Sequence, residues 1–576
     1  MYIDFHNIQR KEFVLIKWHL CYTYNKEEGV TMKKALPIGV MDYHKLISEN
    51  YYNVDKSLMI KDFLERKTTV TLITRPRRFG KTLNMSMMAE FFDITKNSKD
   101  IFKNTKIMQT EYASYINQYP TIFISFANAK GHKEQLILSI KTTLQDIYEK
   151  NEHVFSNMSK FEKSRYNRIV DALIHDNSLN TISESLDFLM KRMEKYYHQK
   201  VMVFIDEYDT PFIEAHVGEF YDDIKSGLAS LLHNALKTSP SLQYAMLTGI
   251  QRVAKENIFS DLNNPAVCTL TDQHYSQYFG FTETETKAML EYYGLSLNDK
   301  VKAMYDGYHI GNMEIYNPWS IINYIDNKEL RPYWVNTSSN KMIKDAMKEC
   351  DTSFKQGYEK LIETGKLETL VQMETSFFEV SNTPNLWGLF VNAGYLTTEK
   401  TNSLQIDRYI LRIPNQEVQK EFQQLTSYYL NISSTDLSGL CDALLFGNQI
   451  DFENYYTHIL LTLPSYHDLQ NENSYHVMFL GMCAWLSHDY EIISNKEAGK
   501  GRCDIILKAK SAISPSYILE FKYSTNKEKI EQLSNQAIQQ IQKNHYDANM
   551  SGKVIYIGLA HCGKDVFITW RNKDKQ

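Results

Sequence analysis

The chain has 576 residues, of which 43% are hydrophobic and 23% charged, and its net charge is −5. This length exceeds what one hydrophobic core usually serves, which predicts about two to four domains, and no apolar run approaches the ~18 residues of a membrane span. Because the net charge is negative, the overall charge gives no support for nucleic-acid binding. Such binding would depend on local basic patches.

The seven cysteines lie scattered along the chain without a CxxC pair. Because no secretory hydrophobic region precedes them, we expect neither a zinc cluster nor a disulfide framework, and the expected location is a reducing cytoplasm. Cys503 stands beside a candidate catalytic residue, but we interpret it as a small buried hydrophobic side chain.

The first segment, residues 1–31, mixes charges into its apolar stretches and lacks the small-residue cleavage site of a signal peptide. The sequence MKKALPIG, which begins at Met32, is typical of a natural start. We therefore expect residues 1–31 to lie outside the folded protein and to stem from a start codon upstream of the one used.

Residues 32–278 show the pattern of an α/β domain. A helical period from Leu46 to Glu65 leads into the β-branched strand Thr68 to Thr74. The later apolar runs TIFISFANA, VMVFID and LQYAMLTGI alternate with long helical stretches. This alternation predicts a parallel sheet with helices on both faces.

The loop after the first strand carries half of a phosphate-binding motif. In RPRRFGKTL, Gly80 lets backbone N–H groups approach phosphates, Lys81 neutralises the β and γ oxygens, and Thr82 supplies a hydroxyl for Mg²⁺. The other half departs from the motif, because Arg75 replaces the first glycine and Arg78 lies in a loop that is usually glycine-rich. Taken alone, a surface loop would remain an alternative.

A second motif makes the phosphate-binding interpretation stronger. The strand VMVFID ends in Asp206 and Glu207, which predicts a carboxylate that orients magnesium beside one that polarises an attacking water. Helix capping is the alternative for such a pair, and it is our interpretation of Asp209. Thr248 ends the strand LQYAMLT, where it can sense a γ-phosphate, and Arg252 can supply transition-state charge in cis or to a neighbour.

From Phe279 the sequence becomes mostly helical, and we expect helices to continue to about Gln470. The last segment, residues 471–576, again shows a small α/β pattern: a helix after Glu472, then strands around EIISN, RCDIILK, SYILEFK and KVIYIGL. We find neither an internal repeat nor a low-complexity linker, which predicts domains packed against each other.

A second charged cluster is predicted in this last domain. Glu520 and Lys522 are two apart on one strand and so share a face, while Asp504 on a neighbouring strand can meet them. The carboxylates would bind Mg²⁺ and the lysine would hold or help to deprotonate a water. Glu472 is a candidate third carboxylate, with helix capping as the alternative, and Gln536 a candidate for orienting these ligands.

Segments of the first half resemble the AAA-ATPase-like family, relatives of archaeal-type ATPases common in gut Bacteroides-like bacteria. They are TRPRRFGKTLNMSMMAEFF, FIDEYDTP, LTGIQRVAKENIFSDLNN, FGFTETE, YDGY and YNPWSI. The family tolerates the arginine-rich loop. The resemblance implies a P-loop core with an additional strand and a catalytic glutamate, followed by a helical or winged-helix lid, which we place at residues 279–345, and a helical linker at 346–470.

The C-terminal order of helix, EAGKGRCD, ILEFK and QAIQQI helix resembles the PD-(D/E)XK nuclease superfamily, which implies a restriction-endonuclease-like domain at residues 471–576. Asp504, Glu520 and Lys522 match its motif position by position. The preceding NLWGLFVNAGYLT and LRIPNQEVQKEF resemble the same two-module architecture.

These observations give three sets of candidate site residues. The catalytic candidates are Glu207, Arg252, Asp504, Glu520 and Lys522. The nucleotide-binding candidates are Arg78, Gly80, Lys81, Thr82, Asp206 and Thr248. The candidates for binding Mg²⁺ are Thr82, Asp206, Glu472, Asp504 and Glu520.

The leading hypothesis is an ATPase that binds ATP and Mg²⁺ and whose nucleotide state controls a nuclease-fold effector acting on DNA or RNA. The alternative is a nucleotide-driven switch whose C-terminal module binds nucleic acid or protein without cutting. A small-molecule phosphotransferase would share the phosphate loop but would not explain Glu207 or the strand with Glu520 and Lys522. The sequence leaves the oligomeric state open.

Overall fold

The computed structural model describes residues 33–251, 265–334, 339–348, 350–373, 382–400, 407–429, 432–463, 471–486, 489–498, 501–548 and 550–573. The predicted extension at residues 1–31 therefore lies outside the described residues. Within these ranges no helix combines the length and apolar character needed to cross a lipid bilayer.

A five-stranded sheet forms the centre of the first domain, in the order β2-β3-β4-β1-β5 with all neighbouring pairs parallel. The strands are β1 Val70–Thr74, β2 Thr121–Ser125, β3 Val201–Asp206, β4 Leu242–Gly249 and β5 Ala266–Cys268. β4 lies between β1, which leads into the phosphate loop, and β3, which ends in Asp206. This is the additional strand that the family resemblance implies, and the predicted α/β fold is confirmed.

Helices cover both faces of this sheet, as the sequence predicts. Alternate residues of β3 enter different apolar clusters: Val203 and Ile205 pack on one side, whereas Met202 and Phe204 pack on the other. Every residue of β3 is buried, which explains its continuous apolar sequence. The helices are α1 Tyr43–Ser48, α2 Leu58–Arg66, α3 Lys81–Phe92, α4 Lys99–Phe102, α5 Lys133–Lys150, α6 Lys160–His175, α7 Ser185–Tyr197, α8 Thr210–Val217 and α9 Tyr221–His233.

The next region combines helices with a small antiparallel sheet in the order β6-β8-β7. Its strands are β6 Phe281–Thr282, β7 Tyr308–Ile310 and β8 Met313–Tyr316, and its helices are α10 Glu283–Tyr292, α11 Asp299–Tyr305 and α12 Pro318–Asn327. Thr282 and Glu285 form a reciprocal capping box at the start of α10, and Asn317 caps α12 ahead of Pro318, so local sequence fixes where both helices begin.

The expectation of a helical linker at residues 346–470 is wrong in part. Helices α13 Ser339–Lys348, α14 Thr352–Thr364, α15 Thr383–Ala393 and α16 Gln416–Tyr429 are present, but they alternate with strands β9 Lys366–Leu370, β10 Thr397–Lys400 and β11 Arg408–Arg412. These strands form an antiparallel sheet in the order β10-β11-β9. Because these strands are short and mix charged with apolar residues, the sequence shows no clear alternation that would distinguish them from helix or loop.

The end of the expected linker packs into the C-terminal domain. Helices α17 Ser434–Phe446 and α18 Gln449–Thr462 contribute Leu437 and Phe452 to one apolar cluster with Leu519 and Ile557 of the C-terminal sheet. The core of that domain therefore extends N-terminally beyond residue 471 and includes these two helices.

The C-terminal domain contains a mixed sheet in the order β12-β13-β14-β15-β16, in which only the β14–β15 pair is parallel. The four predicted strands are present, and a fifth follows them. The elements are α19 Glu472–Met482, β12 Tyr490–Ala498, β13 Gly501–Ala509, β14 Ser516–Tyr523, α20 Ile530–Lys543, β15 Val554–Cys562 and β16 Asp565–Asn572.

The region between the two α/β domains contacts both of them. Gly394 lies against the phosphate loop, where a Cβ atom on it would be 3.0 Å from Cβ of Pro76, and its carbonyl accepts a hydrogen bond from the Tyr308 hydroxyl at 3.0 Å. On the other side, α14 and α16 pack against α19. The two α/β domains are thus joined through a region that packs against each of them, in agreement with the absence of a low-complexity linker.

Candidate active sites

The phosphate loop places a glycine and a lysine at the start of α3. Gly80 has a φ angle of 80° and precedes Lys81 as the N-cap, and a Cβ atom on Gly80 would meet no other atom within 4 Å. Lys81 is 5% exposed, and its ammonium donates hydrogen bonds to the carbonyls of Arg75 and Pro76 at 3.1 and 3.0 Å. Open space beside a helix N-terminus with a buried ammonium fits an anionic phosphate chain.

Asp206 is the centre of a hydroxyl network between the ends of β3 and β4 and the start of α3. It is fully buried, and its carboxylate accepts hydrogen bonds from the Thr82 hydroxyl at 2.7 Å and from the Thr248 hydroxyl at 2.6 Å. Burial raises the pKa of Asp206, while these two hydrogen bonds oppose the increase. The structure therefore brings together the three residues that the sequence predicts for magnesium and γ-phosphate.

Glu207 follows with a φ angle of 51°, a left-handed conformation that is uncommon for glutamate and often marks a functional position. Its carboxylate accepts a hydrogen bond from the Thr210 hydroxyl at 2.9 Å. Burial by itself raises the pKa of Glu207, but the charge of Lys81 and the Thr210 hydrogen bond outweigh it and keep the pKa below its ordinary value. An ionised carboxylate here suits the predicted role of polarising water.

Arg75, in place of the first glycine of the motif, points away from the nucleotide side. Its guanidinium is fully buried and donates to the carbonyls of Thr74, Cys268 and Thr269 at 2.8, 3.0 and 2.8 Å. Burial lowers the pKa of Arg75 to about 10. The arginine therefore anchors the loop to the segment after β5 and leaves the phosphate side free.

Asp209 corrects a sequence interpretation. It occupies the N-cap position of α8 but makes no side-chain cap hydrogen bond. Its carboxylate instead accepts from the backbone N–H groups of Ile250 and Gln251, each at 2.8 Å. Burial raises the pKa of Asp209 to about 6. This residue fixes the chain directly after β4, the strand that carries Thr248. The predicted Arg252 is outside the described residues.

A cavity of about 510 Å³ extends from the phosphate loop, which is within the usual range for small-molecule sites. Lys81 and Glu207 contribute to its lining. Apolar side chains from the N-terminal segment and from the region after β8 also line it, and we did not predict these, although the YNPWSI motif was a signal for part of them. They include Val40, Met41, Pro318, Trp319 and Ile322.

The predicted nucleotide residue Arg78 lies in the wall of this cavity. It is exposed, and its guanidinium lies 4.3 Å from the centre of the Trp319 ring. The arrangement leaves its charge next to the place where the phosphates of a nucleotide would lie.

The second candidate site is on β14 of the C-terminal domain. Lys522 lies 3.2 Å from Glu520 and 3.2 Å from Glu472, while Phe521 points to the opposite side and enters an apolar cluster. Glu520 is 2% exposed, and burial together with the charge of Asp504 raises its pKa to about 7. The structure thus brings together the predicted charged residues on one face of the sheet.

The neighbours of Glu472 and Asp504 define the edges of this site. The cap of α19 is Asn471, which accepts from the backbone of Ser474, so Glu472 is free of the capping role and pairs with Lys522. One carboxylate oxygen of Asp504 accepts from the Phe521 N–H at 2.8 Å.

Gln536 is not the residue that orients the carboxylates, which corrects the sequence prediction. Gln536 is exposed, whereas Gln540, one helical turn later, donates a hydrogen bond to Oε1 of Glu520. Cys503 is buried at 2% exposure and donates weakly to backbone carbonyls, which agrees with its interpretation as a structural residue.

The surroundings of one carboxylate oxygen bear on whether this second site fits a cation. Oε2 of Glu520 is buried and has no hydrogen-bond partner among the described residues. A buried carboxylate oxygen without a donor is costly, and a divalent cation is a ligand that removes the cost. The donor set of Glu520 and Asp504, with Glu472 next to Lys522, consists of oxygen ligands of the kind that Mg²⁺ prefers.

Comparisons with known proteins match two ranges of this chain to described families. The family described as predicted AAA-ATPase matches residues 37–259, and the PD-(D/E)XK nuclease superfamily matches residues 470–571. A protein of Azotobacter chroococcum mcd 1, described as an uncharacterized protein in the vnfD 5′ region, is 26% identical over 506 residues, which cover 85% of this chain and 89% of that relative.

The matched ranges contain the two constellations described above. Lys81, Asp206 and Glu207 fall in the first range, and Asp504, Glu520 and Lys522 fall in the second. Sequence, geometry and comparison therefore lead to one assignment: the chain joins a domain of the AAA-ATPase-like family, residues 37–259, to a C-terminal domain of the PD-(D/E)XK nuclease superfamily, residues 470–571.

Proposed function

We propose that this protein hydrolyses ATP and that its nucleotide state controls a nuclease site that cuts DNA or RNA. The observation that supports this most directly is the presence, in one packed chain, of a hydroxyl-held Asp206 beside Lys81 and of a Glu520 oxygen without a hydrogen-bond partner beside Lys522. The first arrangement suits a nucleotide, and the second suits a metal-assisted attack on a phosphodiester.

At the first site, Gly80 and Lys81 hold the phosphate chain, and Thr82 with Asp206 would hold Mg²⁺. When bound, the ion neutralises charge on the β and γ oxygens. Glu207, kept ionised by Lys81, orients and polarises the water that attacks the γ-phosphate, while Thr248 contacts that phosphate from the end of β4. Arg78 adds positive charge from the cavity wall.

At the second site, Asp504 and Glu520 would hold Mg²⁺, with Glu472 as a further oxygen ligand. When bound, the ion neutralises charge on the phosphodiester. Lys522 lies 3.2 Å from both glutamates, where it can position a water for attack. Gln540 fixes the direction of the Glu520 carboxylate.

A second candidate function is a nucleotide-dependent switch whose C-terminal domain binds nucleic acid or protein without cutting it. The observation that favours it is the pairing of Lys522 with Glu472 and Glu520, which occupies the lysine in the structure. An intact Asp504, Glu520 and Lys522 set argues for cutting.

The deciding experiment incubates the wild type with single- and double-stranded DNA and RNA, with Mg²⁺ or Mn²⁺, and with or without ATP. We expect cutting that depends on the metal and changes with ATP. Intact substrates in every condition, with ATP hydrolysis preserved, would instead support the binding switch. Absence of both activities, with Lys81→Ala indistinguishable from the wild type in ATP binding, would contradict the proposal as a whole.

A further inference from the structure

Glu417 is a buried carboxylate outside both candidate sites. It lies in the first turn of α16 and is fully buried. Its Oε1 atom accepts hydrogen bonds from the backbone N–H groups of Tyr333 and Trp334 at 2.7 and 2.8 Å, and its Oε2 atom accepts from the Ser320 hydroxyl at 2.8 Å. One side chain therefore joins α16 to two segments that come before it by more than 80 residues.

Those two segments carry the tryptophans that contact the phosphate loop. Trp319 precedes Ser320, lines the nucleotide cavity, and lies 4.3 Å beneath the guanidinium of Arg78. The indole N–H of Trp319 donates to the Tyr333 carbonyl at 2.9 Å, and that of Trp334 donates to the Arg77 carbonyl at 3.4 Å. Glu417 thus fixes the wall of the cavity through its two neighbours.

The helix that begins beside Glu417 reaches the nuclease domain. α16 has 14 residues, which span about 21 Å at the α-helical rise. Phe422 of this helix stacks on Tyr358 of α14 with ring centres 5.1 Å apart, and both helices pack against α19. α19 begins at Glu472, which lies 3.2 Å from Lys522 of the candidate nuclease site.

We propose that Glu417 is a positioning residue that ties the nucleotide cavity to the nuclease domain through α16. It holds Trp319 and Trp334 in place for nucleotide binding, and a change in their position moves the helix that packs on α19. This inference rests on the proposed function, since it requires that ATP occupies the cavity.

Three substitutions separate this role from general packing. Glu417→Leu keeps approximate volume and removes both acceptor atoms, which leaves two buried N–H groups without partners. Glu417→Gln keeps a carbonyl oxygen for those N–H groups and an amide that can donate to Ser320. The matched control is Glu421→Gln: Glu421 is also buried and lies one turn along α16, but it faces the charge of Lys344.

The test uses the full chain, with a non-hydrolysable ATP analogue as the probe. Its affinity is measured by titration, and amide hydrogen exchange of residues 472–482 is measured with and without the analogue. We expect Glu417→Leu to weaken binding about tenfold and to remove the analogue-induced change in exchange. Glu417→Gln should restore both to nearly wild-type values, and Glu421→Gln should leave both unchanged. If Glu417→Leu does not fold, Ser320→Ala should produce a smaller effect in the same direction.

The outcomes also separate this inference from the proposed function. Wild-type protein that does not bind the analogue contradicts the ATP function itself. Wild-type binding without any exchange response in residues 472–482 leaves the ATP function standing and overturns the link through α16. Equal losses in Glu417→Leu and Glu421→Gln, or wild-type behaviour of folded Glu417→Leu and Ser320→Ala, overturn the assignment of Glu417.

Discussion

The two candidate sites hold their central carboxylates by different means. Asp206 is held by neutral donors, the hydroxyls of Thr82 and Thr248, which occupy both of its oxygens. Glu520 is held on one oxygen by a charged lysine and by Gln540, and its other oxygen has no hydrogen-bond partner among the described residues. Both oxygens of the first carboxylate thus have hydrogen-bond donors in the structure, whereas one oxygen of the second is left for a cation or a proton.

This difference suggests that the two sites depend on metal in different ways. At the nucleotide site, two protein hydroxyls hold Asp206 in place, and under the proposed function Mg²⁺ would arrive together with ATP. At the nuclease site, burial raises the pKa of Glu520 to about 7, so the carboxylate becomes a good ligand only as it loses its proton. The following predictions test this contrast, from the largest expected effect to the smallest.

The largest effect concerns the second site. Asp504→Ala should reduce Mg²⁺-dependent cutting by at least about 100-fold, because it removes a metal ligand and leaves only Glu520 and Glu472 as carboxylate ligands. Cutting is measured on the best substrate found for the wild type. ATP hydrolysis by the same variant is the control and should be unchanged. Loss of both activities would show that ATP hydrolysis also depends on Asp504. That result would contradict two sites with separate sets of carboxylates.

The second effect concerns the first site. Glu207→Gln should bind ATP with nearly wild-type affinity and turn it over roughly 10²–10⁴-fold more slowly, because the amide keeps the shape and loses the group that accepts a proton. Lys81→Ala should lose ATP affinity instead, because the counter-charge of the phosphates is gone. Equilibrium binding and steady-state turnover distinguish these outcomes. Unchanged nucleotide affinity in Lys81→Ala would contradict the site assignment.

A smaller effect tests the support of Glu520. Gln540→Ala should lower Mg²⁺ affinity at the second site roughly 10–100-fold, the usual range when a group that orients a metal ligand is removed. Gln536→Ala is the matched control, since it removes the same side chain from an exposed position one turn away. Metal titration of cutting gives the affinity. Similar behaviour of the two variants would contradict a specific role for Gln540.

The smallest effect is a pH dependence outside both metal sites. Burial raises the pKa of Glu417 from 4.5 to about 7, so the folded state retains a proton that the unfolded state releases. The resulting contribution to the free energy of unfolding is fully present below about pH 4.5 and is lost as the pH rises through about 7. Compared with Glu417→Gln, which does not titrate, the wild type should therefore lose relative stability between these pH values.

Denaturant unfolding of both proteins at pH 5, 6, 7 and 8 measures this difference directly. A constant difference between the two proteins across the series would show that the carboxylate has the same proton occupancy in both states. The contrast between the two candidate sites would then remain. Glu417, like Asp206, would be a carboxylate that hydrogen-bond donors alone stabilise.

Sequence reasoning predicts the candidate residues on strands well, because the position of a residue along a strand fixes the direction of its side chain. Asp206 and Thr248 end buried apolar strands, and Glu520 and Lys522 are two apart, so a period of two places them without knowledge of the rest of the fold. The same reasoning fails for Gln536 and Gln540. Which glutamine reaches Glu520 depends on how the helix sits on the sheet, where a Cβ atom on Gly558 would lie 2.3 Å from the Ser534 carbonyl, and the sequence does not show this tertiary placement.

Other differences have equally physical reasons. Asp209 stands at a helix N-cap position, but its carboxylate accepts hydrogen bonds from two backbone N–H groups directly after β4 instead. Those N–H groups are buried and need an acceptor inside the protein. The strands β9, β10 and β11 are short and partly exposed, so they lack the continuous apolar sequence that marks β3. Glu417 has no local signal at all, since its partners come from more than 80 residues earlier.

The buried arginine of the phosphate loop has a consequence for the order of folding. The Arg75 guanidinium takes two of its acceptors from Cys268 and Thr269, nearly 200 residues further along the chain. Until that segment docks, the buried guanidinium keeps only the adjacent Thr74 carbonyl as an acceptor, and burying it with so few partners is costly. The anchor of the phosphate loop is therefore completed only after β5 has been synthesised, late in the synthesis of its domain.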